Sequence, residues 1–320
     1  MTNELLNDLF KKGFVTEDQF KKLNLITSGQ LVSVFYELRS LLYLGVMLFT
    51  TGMGILIYEN IGDLGHIISI IILCVLTVIC FWYTFKHAVP FTNEQVKSPT
   101  PYYDYILLMG SLLLISVQGY LQFQYGILDN ALAYSTLLTA GFFFFIAYRF
   151  DHLGILSLAI TALASFWSIS LSPQKWYSGD FFSDSDLHII AIIFSVVVAS
   201  LALVLDWKGV KKHFTFTYLN FCTLIFFVAN MVGLFDEGQY GFYLLLIYGG
   251  CAFTYYMARW KKSFLFLLYA LIAAYIGTTF LLADTILEDA LEIWFFYSIA
   301  SCGGFIYFII KYKNYFTRES

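Results

Sequence analysis

Two clusters in this chain combine carboxylates and imidazole at spacings that could bind a divalent cation. Glu59, Asp63 and His66 are four and three residues apart, and Asp184, Asp186 and His188 are two apart. Oxygen and nitrogen ligands at such intervals suit a hard or borderline metal ion. The competing reading is that acidic residues collect in the outside loops of a membrane protein whose basic residues are kept inside. That reading weighs more, so no metal and no cofactor is expected, with Glu59, Asp63 and His66 as the residues to inspect. A third set is uncharged. Gln118, Asn220 and Asn230 put amides inside long apolar runs, where each is expected to hydrogen-bond across to a neighbouring helix. Gln118, Gln122 and Asn230, together with the glycine pair Gly249–Gly250, are the positions where a ligand pocket is expected. The pair Asp151–His152, after Arg149, reads as turn residues between helices. Catalytic residues are not assigned: the chain lacks HExxH, GxSxG, paired aspartates within an apolar run, and a glycine-rich phosphate loop.

The elements that carry these residues follow from composition. Of 320 residues, 59% are hydrophobic and 12% charged, with a mean hydropathy of +0.74. A soluble domain carries roughly twice that charged fraction. The net charge of −4 and the lack of a basic run interleaved with aromatics exclude a nucleic-acid groove. Each of the five cysteines falls in an apolar run, which favours a packing role over a disulfide frame. No cleavable signal pattern precedes residue 39. The expected fold is all-α, a polytopic membrane helix bundle.

Ten apolar runs are long enough to cross a bilayer. They lie near 41–58, 66–85, 105–123, 131–148, 153–171, 187–205, 214–234, 240–258, 263–283 and 291–310. With ten crossings and both ends in the cytosol, every Lys and Arg except Lys175 falls on the inner side, as the positive-inside rule asks. None of the runs has an ionisable residue near its middle, which weighs against a carrier coupled to protons or sodium through a buried carboxylate. The four prolines all lie between runs. Two stripes of small residues, Ser157–Thr161–Ala164–Ser168 and Ala270–Ala273–Ala274–Gly277, are expected to pack against neighbouring helices. The longest outside loop, 172–186, divides the runs into two sets of five, an arrangement compatible with inverted repeats.

Residues 1–38 form a separate polar segment with helical patterning, Thr16 and Gln19 being placed as a capping box. It reads as a cytosolic amphipathic segment, and residues 313–320 as a short cytosolic tail. The stretches LFKKGFVTEDQFKKL, LGVMLFTTGMGILIYENI, GYLQFQYG at 119–126 and YRFDHLGILSLAI at 148–160 resemble a widespread group of bacterial multi-pass membrane proteins classed as a domain of unknown function. The resemblance implies a bacterial inner-membrane protein with a cytosolic helical N-terminus. It assigns no catalytic or binding residue.

Two functions are therefore expected ahead of an enzyme. One is a carrier or binder of a lipid-like or uncharged small molecule. The other is a non-catalytic scaffold in the lipid bilayer that recruits a cytosolic or membrane partner through residues 1–38. No residue pattern sets an oligomeric state.

Overall fold

In lipid every backbone N–H and C=O must be satisfied within the chain, so apolar runs of this length can cross only as helices. The computed structural model describes residues 16, 20, 35–59, 63–96, 98–100, 102–126, 132–171, 185–235, 240–285 and 291–312. Among them are ten α-helices and no strand. The helices are α1 (Phe35–Glu59), α2 (Asp63–Lys86), α3 (Tyr103–Tyr125), α4 (Leu132–Phe150), α5 (Leu153–Leu171), α6 (Ser185–Trp207), α7 (Phe214–Phe235), α8 (Tyr240–Trp260), α9 (Phe264–Thr285) and α10 (Leu291–Tyr312). One helix corresponds to each expected run. Among the described residues, eight segments, one in each of α2 to α9, are long and apolar enough to span a membrane, which makes this a multi-pass membrane protein by length and composition. α1 and α10 contribute the shorter apolar segments Ser40–Gly52 and Phe296–Tyr312. Apart from residues 16, 20 and 35–38, the N-terminal segment lies outside the described residues, as do 172–184 of the long loop and the tail 313–320.

Buried hydroxyls do not break the helices, because they bond back to their own carbonyls. Thr77 donates to Leu73 O at 2.7 Å, Thr84 to Cys80 O at 2.8 Å and Ser111 to Leu107 O at 2.9 Å.

The chain divides into two compact units, Met1–Thr84 with Tyr102–Val117, and Phe85–Pro101 with Gln118–Ser320. In the first, α2 and the start of α3 approach closely. A Cβ placed on Gly110 would lie 2.8 Å from Cys80 Cβ, and the Tyr103 hydroxyl donates to Thr84 O at 3.2 Å.

In the second unit, short turns join α4 to α5, α6 to α7 and α8 to α9. Each turn begins with the same device. A residue in the left-handed region follows the helix, and the next residue's N–H reaches back five residues. The left-handed residues are Asp151 (φ 60°), Gly209 (φ 76°) and Lys262 (φ 49°). The returning bonds are His152 N–H to Ala147 O, Val210 N–H to Leu205 O and Ser263 N–H to Ala258 O, at 3.0–3.1 Å. His152 then caps the next helix, its Nδ1 accepting from Ile155 N–H at 3.1 Å.

Lipid tails are as apolar as leucine, so close packing rather than apolar burial holds these helices together. One core cluster gathers Ile192 of α6, Phe227, Ala229 and Leu234 of α7, Tyr243 and Ile247 of α8, and Ala273 of α9. Of the two small-residue stripes, that on α9 is packed as expected: Ala270, Ala273 and Gly277 are buried, and Cys251 Sγ donates to Ala270 O at 3.3 Å. On α5 the buried face is instead Ile155, Leu156, Ala159 and Ile160, and the stripe from Ser157 to Ser168 is half-exposed. Its hydroxyls are occupied by their own helix, as with Thr161 to Ser157 O at 2.9 Å, so it offers a neighbour little to grip.

The tightest contact between α7 and α8 is at Gly233, where an added Cβ would fall on the Tyr243 ring. Gly233→Ala is therefore expected to destabilise by about 1–3 kcal/mol, although glycine to alanine in a helix ordinarily stabilises. Unfolding midpoints in detergent check the sign.

Candidate functional site

Between α6, α7 and α8 lies a cavity of about 390 Å³. Ser195, Val196, Ala199, Ser200 and Leu203 line it from α6; Leu219, Cys222, Thr223 and Phe226 from α7; Leu245, Leu246, Gly249, Gly250, Phe253 and Thr254 from α8. Its size falls within the range of small-molecule pockets. Three of the wall's hydroxyls are taken up by their own helices. Ser195 donates to Ile192 O at 2.7 Å, Ser200 to Val196 O at 2.7 Å and Thr254 to Gly250 O at 2.6 Å. No Lys, Arg, His, Asp or Glu is on the wall. One flank is open: Leu245 is 70% exposed, Val196 52% and Phe253 42%. The cavity is an apolar groove that opens sideways.

The glycine pair makes this groove. An added Cβ on Gly249 would meet nothing within 4 Å, so this position leaves space. One on Gly250 would lie 2.5 Å from Phe226 Cε1 and 3.1 Å from Phe227 Cε1, so that position allows the two rings to approach α8. Both glycines line the groove.

The amides separate. Gln118 donates through Nε2 to Ser135 Oγ and accepts from Thr139 Oγ1, both at 2.6 Å, which ties α3 to α4. Asn220 accepts from the Tyr269 hydroxyl at 2.8 Å, tying α7 to α9. Gln118, Gln122 and Asn230 are not among the residues lining the groove. Asn230 is fully buried and bonds only back to its own helix, Nδ2 donating to Phe226 O at 2.7 Å. Its Oδ1 meets no donor among the described residues.

His66 and His188 lie on α2 and α6, whereas the side chains of Glu59, Asp63, Asp184 and Asp186 lie outside what is described. Among the described residues, no group of three His, Cys, Asp or Glu is placed to hold a metal.

A second polar site sits at the turn end of the same unit. The Asp151 carboxylate, 3% exposed, takes Lys211 Nζ at 2.9 Å and His213 Nε2 at 2.6 Å on one oxygen. Its other oxygen accepts Val96 N–H at 2.7 Å. Lys211 is itself 1% exposed and lies over the Phe91 and Phe214 rings, 5.3 and 5.9 Å from their centres. Both members of the ion pair are non-glycine residues in the left-handed region, Lys211 with φ 44°. A parallel pair stands beside it. Lys261 Nζ lies 3.1 Å from Asp206 Oδ2, and Thr215 donates to Asp206 Oδ1 at 3.1 Å. Carboxylates at the ends of α4 and α6 thus tie each turn to the next.

The sequence reading passed over this cluster, taking Asp151 as a turn residue and the lysines as topology markers. One signal was present: Asp151 and Asp206 each stand at a short interhelical segment, 149–152 and 206–213, whose other charged residues are cations.

Burial pushes the Asp151 carboxyl up, but hydrogen bonds from Lys211, Val96 N–H and His213, with the His213 charge, outweigh it and hold the pKa below 3.8. A depressed carboxylate contributes stability that is fully present above its ordinary pKa and is lost as pH falls through the lowered value. Unfolding midpoints are therefore expected to be steady with respect to this group above about pH 5 and to fall below pH 3.8, with the slope reduced in Asp151→Asn.

No family model, curated protein or solved structure matches the chain.

Proposed function

We propose that this protein is a carrier or binding protein for a lipid-like, uncharged small molecule, which it takes into the groove between α6, α7 and α8. The observation that carries this reading is the groove itself, about 390 Å³ of space with an apolar wall and an open flank. A charged ligand would be left without a counter-charge there, at a prohibitive desolvation cost. An acyl or isoprenoid chain needs none, and it can enter from the bilayer without crossing water.

The setting we infer is the inner membrane of a bacterium, with ten crossings and both ends in the cytosol. The ten helices and the distribution of Lys and Arg support the count and the orientation. The resemblance noted above supports the bacterial setting. Single cysteines at 212 and 238 should be labelled by an impermeant maleimide from opposite sides of the membrane.

The ligand reading is tested with a photoactivatable long-chain probe added to the protein in lipid nanodiscs. Crosslinks should concentrate on peptides from α6, α7 and α8 and disappear in Gly249→Phe. Labelling spread evenly over all helices, and indifferent to that substitution, would overturn the proposal.

A further inference from the structure

Asn230 stands one turn beyond the last α7 residue on the groove wall, and is not itself on that wall. Leu219, Cys222, Thr223 and Phe226 line the groove from one face of α7. Asn230, one turn beyond Phe226, continues that face. Past it the core cluster of Ile192, Phe227, Leu234, Tyr243 and Ile247 fills the space between the helices.

The amide's orientation is set by its one bond. Nδ2 must face Phe226 O, because a carbonyl there would repel Oδ1, so Oδ1 points away from its own backbone. The other two amides both use their oxygens across helices, Gln118 with Thr139 and Asn220 with Tyr269. Asn230 is 0% exposed and its Oδ1 has no donor among the described residues. A buried acceptor left so in an apolar medium is costly, which makes such a group a marker of a binding role.

Phe226 is the last α7 residue on the wall before Asn230, and its ring lies against Gly250 and edge-on to Phe227, 5.6 Å between centres. A turn of that ring toward the open groove would connect the space to Oδ1.

We propose that Asn230 Oδ1 is the recognition point of the groove. The ligand class is a long apolar chain ending in one uncharged hydrogen-bond donor, a hydroxyl, as in a long-chain alcohol. An ammonium would also donate, but its charge finds no acid on the wall. A carboxylate has nothing to donate and would meet Oδ1 with like polarity. This inference rests on the carrier reading and adds the head group to it.

The test uses the full chain in nanodiscs and a photoactivatable long-chain alcohol, competed by the unlabelled alcohol or by its methyl ether with the same chain. In the native protein the alcohol is expected to compete about tenfold better than the ether, the effect of one hydrogen bond to an otherwise unsatisfied acceptor. In Asn230→Leu, which keeps the branching at Cγ, the two should become equal. Equal competition in the native protein would overturn the role of Asn230 while leaving the groove standing. So would a preference for the alcohol that survives in Asn230→Leu. Failure of the probe to label α6, α7 and α8 at all would overturn both readings. The native-protein comparison decides the matter even if the leucine variant does not fold.

Discussion

Asp151→Asn is expected to lower the unfolding free energy by about 3 kcal/mol, measured as the shift in reversible denaturation in detergent micelles. Asparagine is a clean probe because it tolerates the left-handed backbone that Asp151 adopts (φ 60°), where a branched residue would add strain of its own. What the substitution removes is the charge. Lys211 is 1% exposed and has its ion pair with this carboxylate alone among the described residues, so its ammonium would be left buried without a counter-charge. The loss is placed at the lower end of the range for broken buried pairs because the amide oxygen still accepts one hydrogen bond. The double variant Asp151→Asn/Lys211→Met is expected to recover most of the loss, since removing both members of a buried pair is often nearly neutral. A double variant as unstable as the single one would mean that the carboxylate acts mainly through Val96 and His213.

Gly249 and Gly250 are adjacent, yet substitution at each is expected to do opposite things. Gly249→Leu should leave stability unchanged or raise it by up to about 1 kcal/mol, because leucine is the better helix former and nothing lies within 4 Å of the new Cβ. It should also fill the groove and reduce probe labelling by about tenfold or more, the side chain displacing several methylenes of ligand. Gly250→Leu drives its Cβ into Phe226 and Phe227. Phe227 is 4% exposed, packed in the core, and has nowhere to go. That variant should be destabilised by about 1–3 kcal/mol. Thermal unfolding and photolabelling of the two proteins side by side separate the outcomes. Equal loss of stability in both would mean that Gly249 is a packing position too.

The helices were legible because the bilayer imposes a length and bars charge, both of which can be read one residue at a time. The α5 run, 153–171, coincides with its helix at both ends. The site was legible only in part. Gly249–Gly250 stood out as small residues in a bulky helix, but whether they make space or close contact depends on Phe226, some two dozen positions away. Gln118 and Asn230 are alike in sequence, each an amide in an apolar run. What separates them is the partner: α4 offers Ser135 and Thr139 to Gln118, whereas nothing described donates to Asn230 Oδ1. Asp151 was hidden for the same reason. Its partners Lys211 and His213 lie about sixty residues on, and counting charges by side cannot show which of them meet.

Under the proposed carrier function, the open flank of the groove changes what affinity means for this protein. A site that faces the bilayer is never dilute in apolar chains, so its ligand competes with the surrounding lipid rather than with water. Occupancy then depends on the exchange preference for the ligand over bulk lipid, weighted by the ligand's share of the membrane. A compound making up about 1% of the lipids needs roughly a hundredfold preference, about 2.7 kcal/mol, to fill half the sites. One hydrogen bond supplies about half of that, and the fit of the chain must supply the remainder. Binding constants for this groove should therefore be expressed as mole fractions in the membrane, and they will shift with the host lipid even when the protein does not.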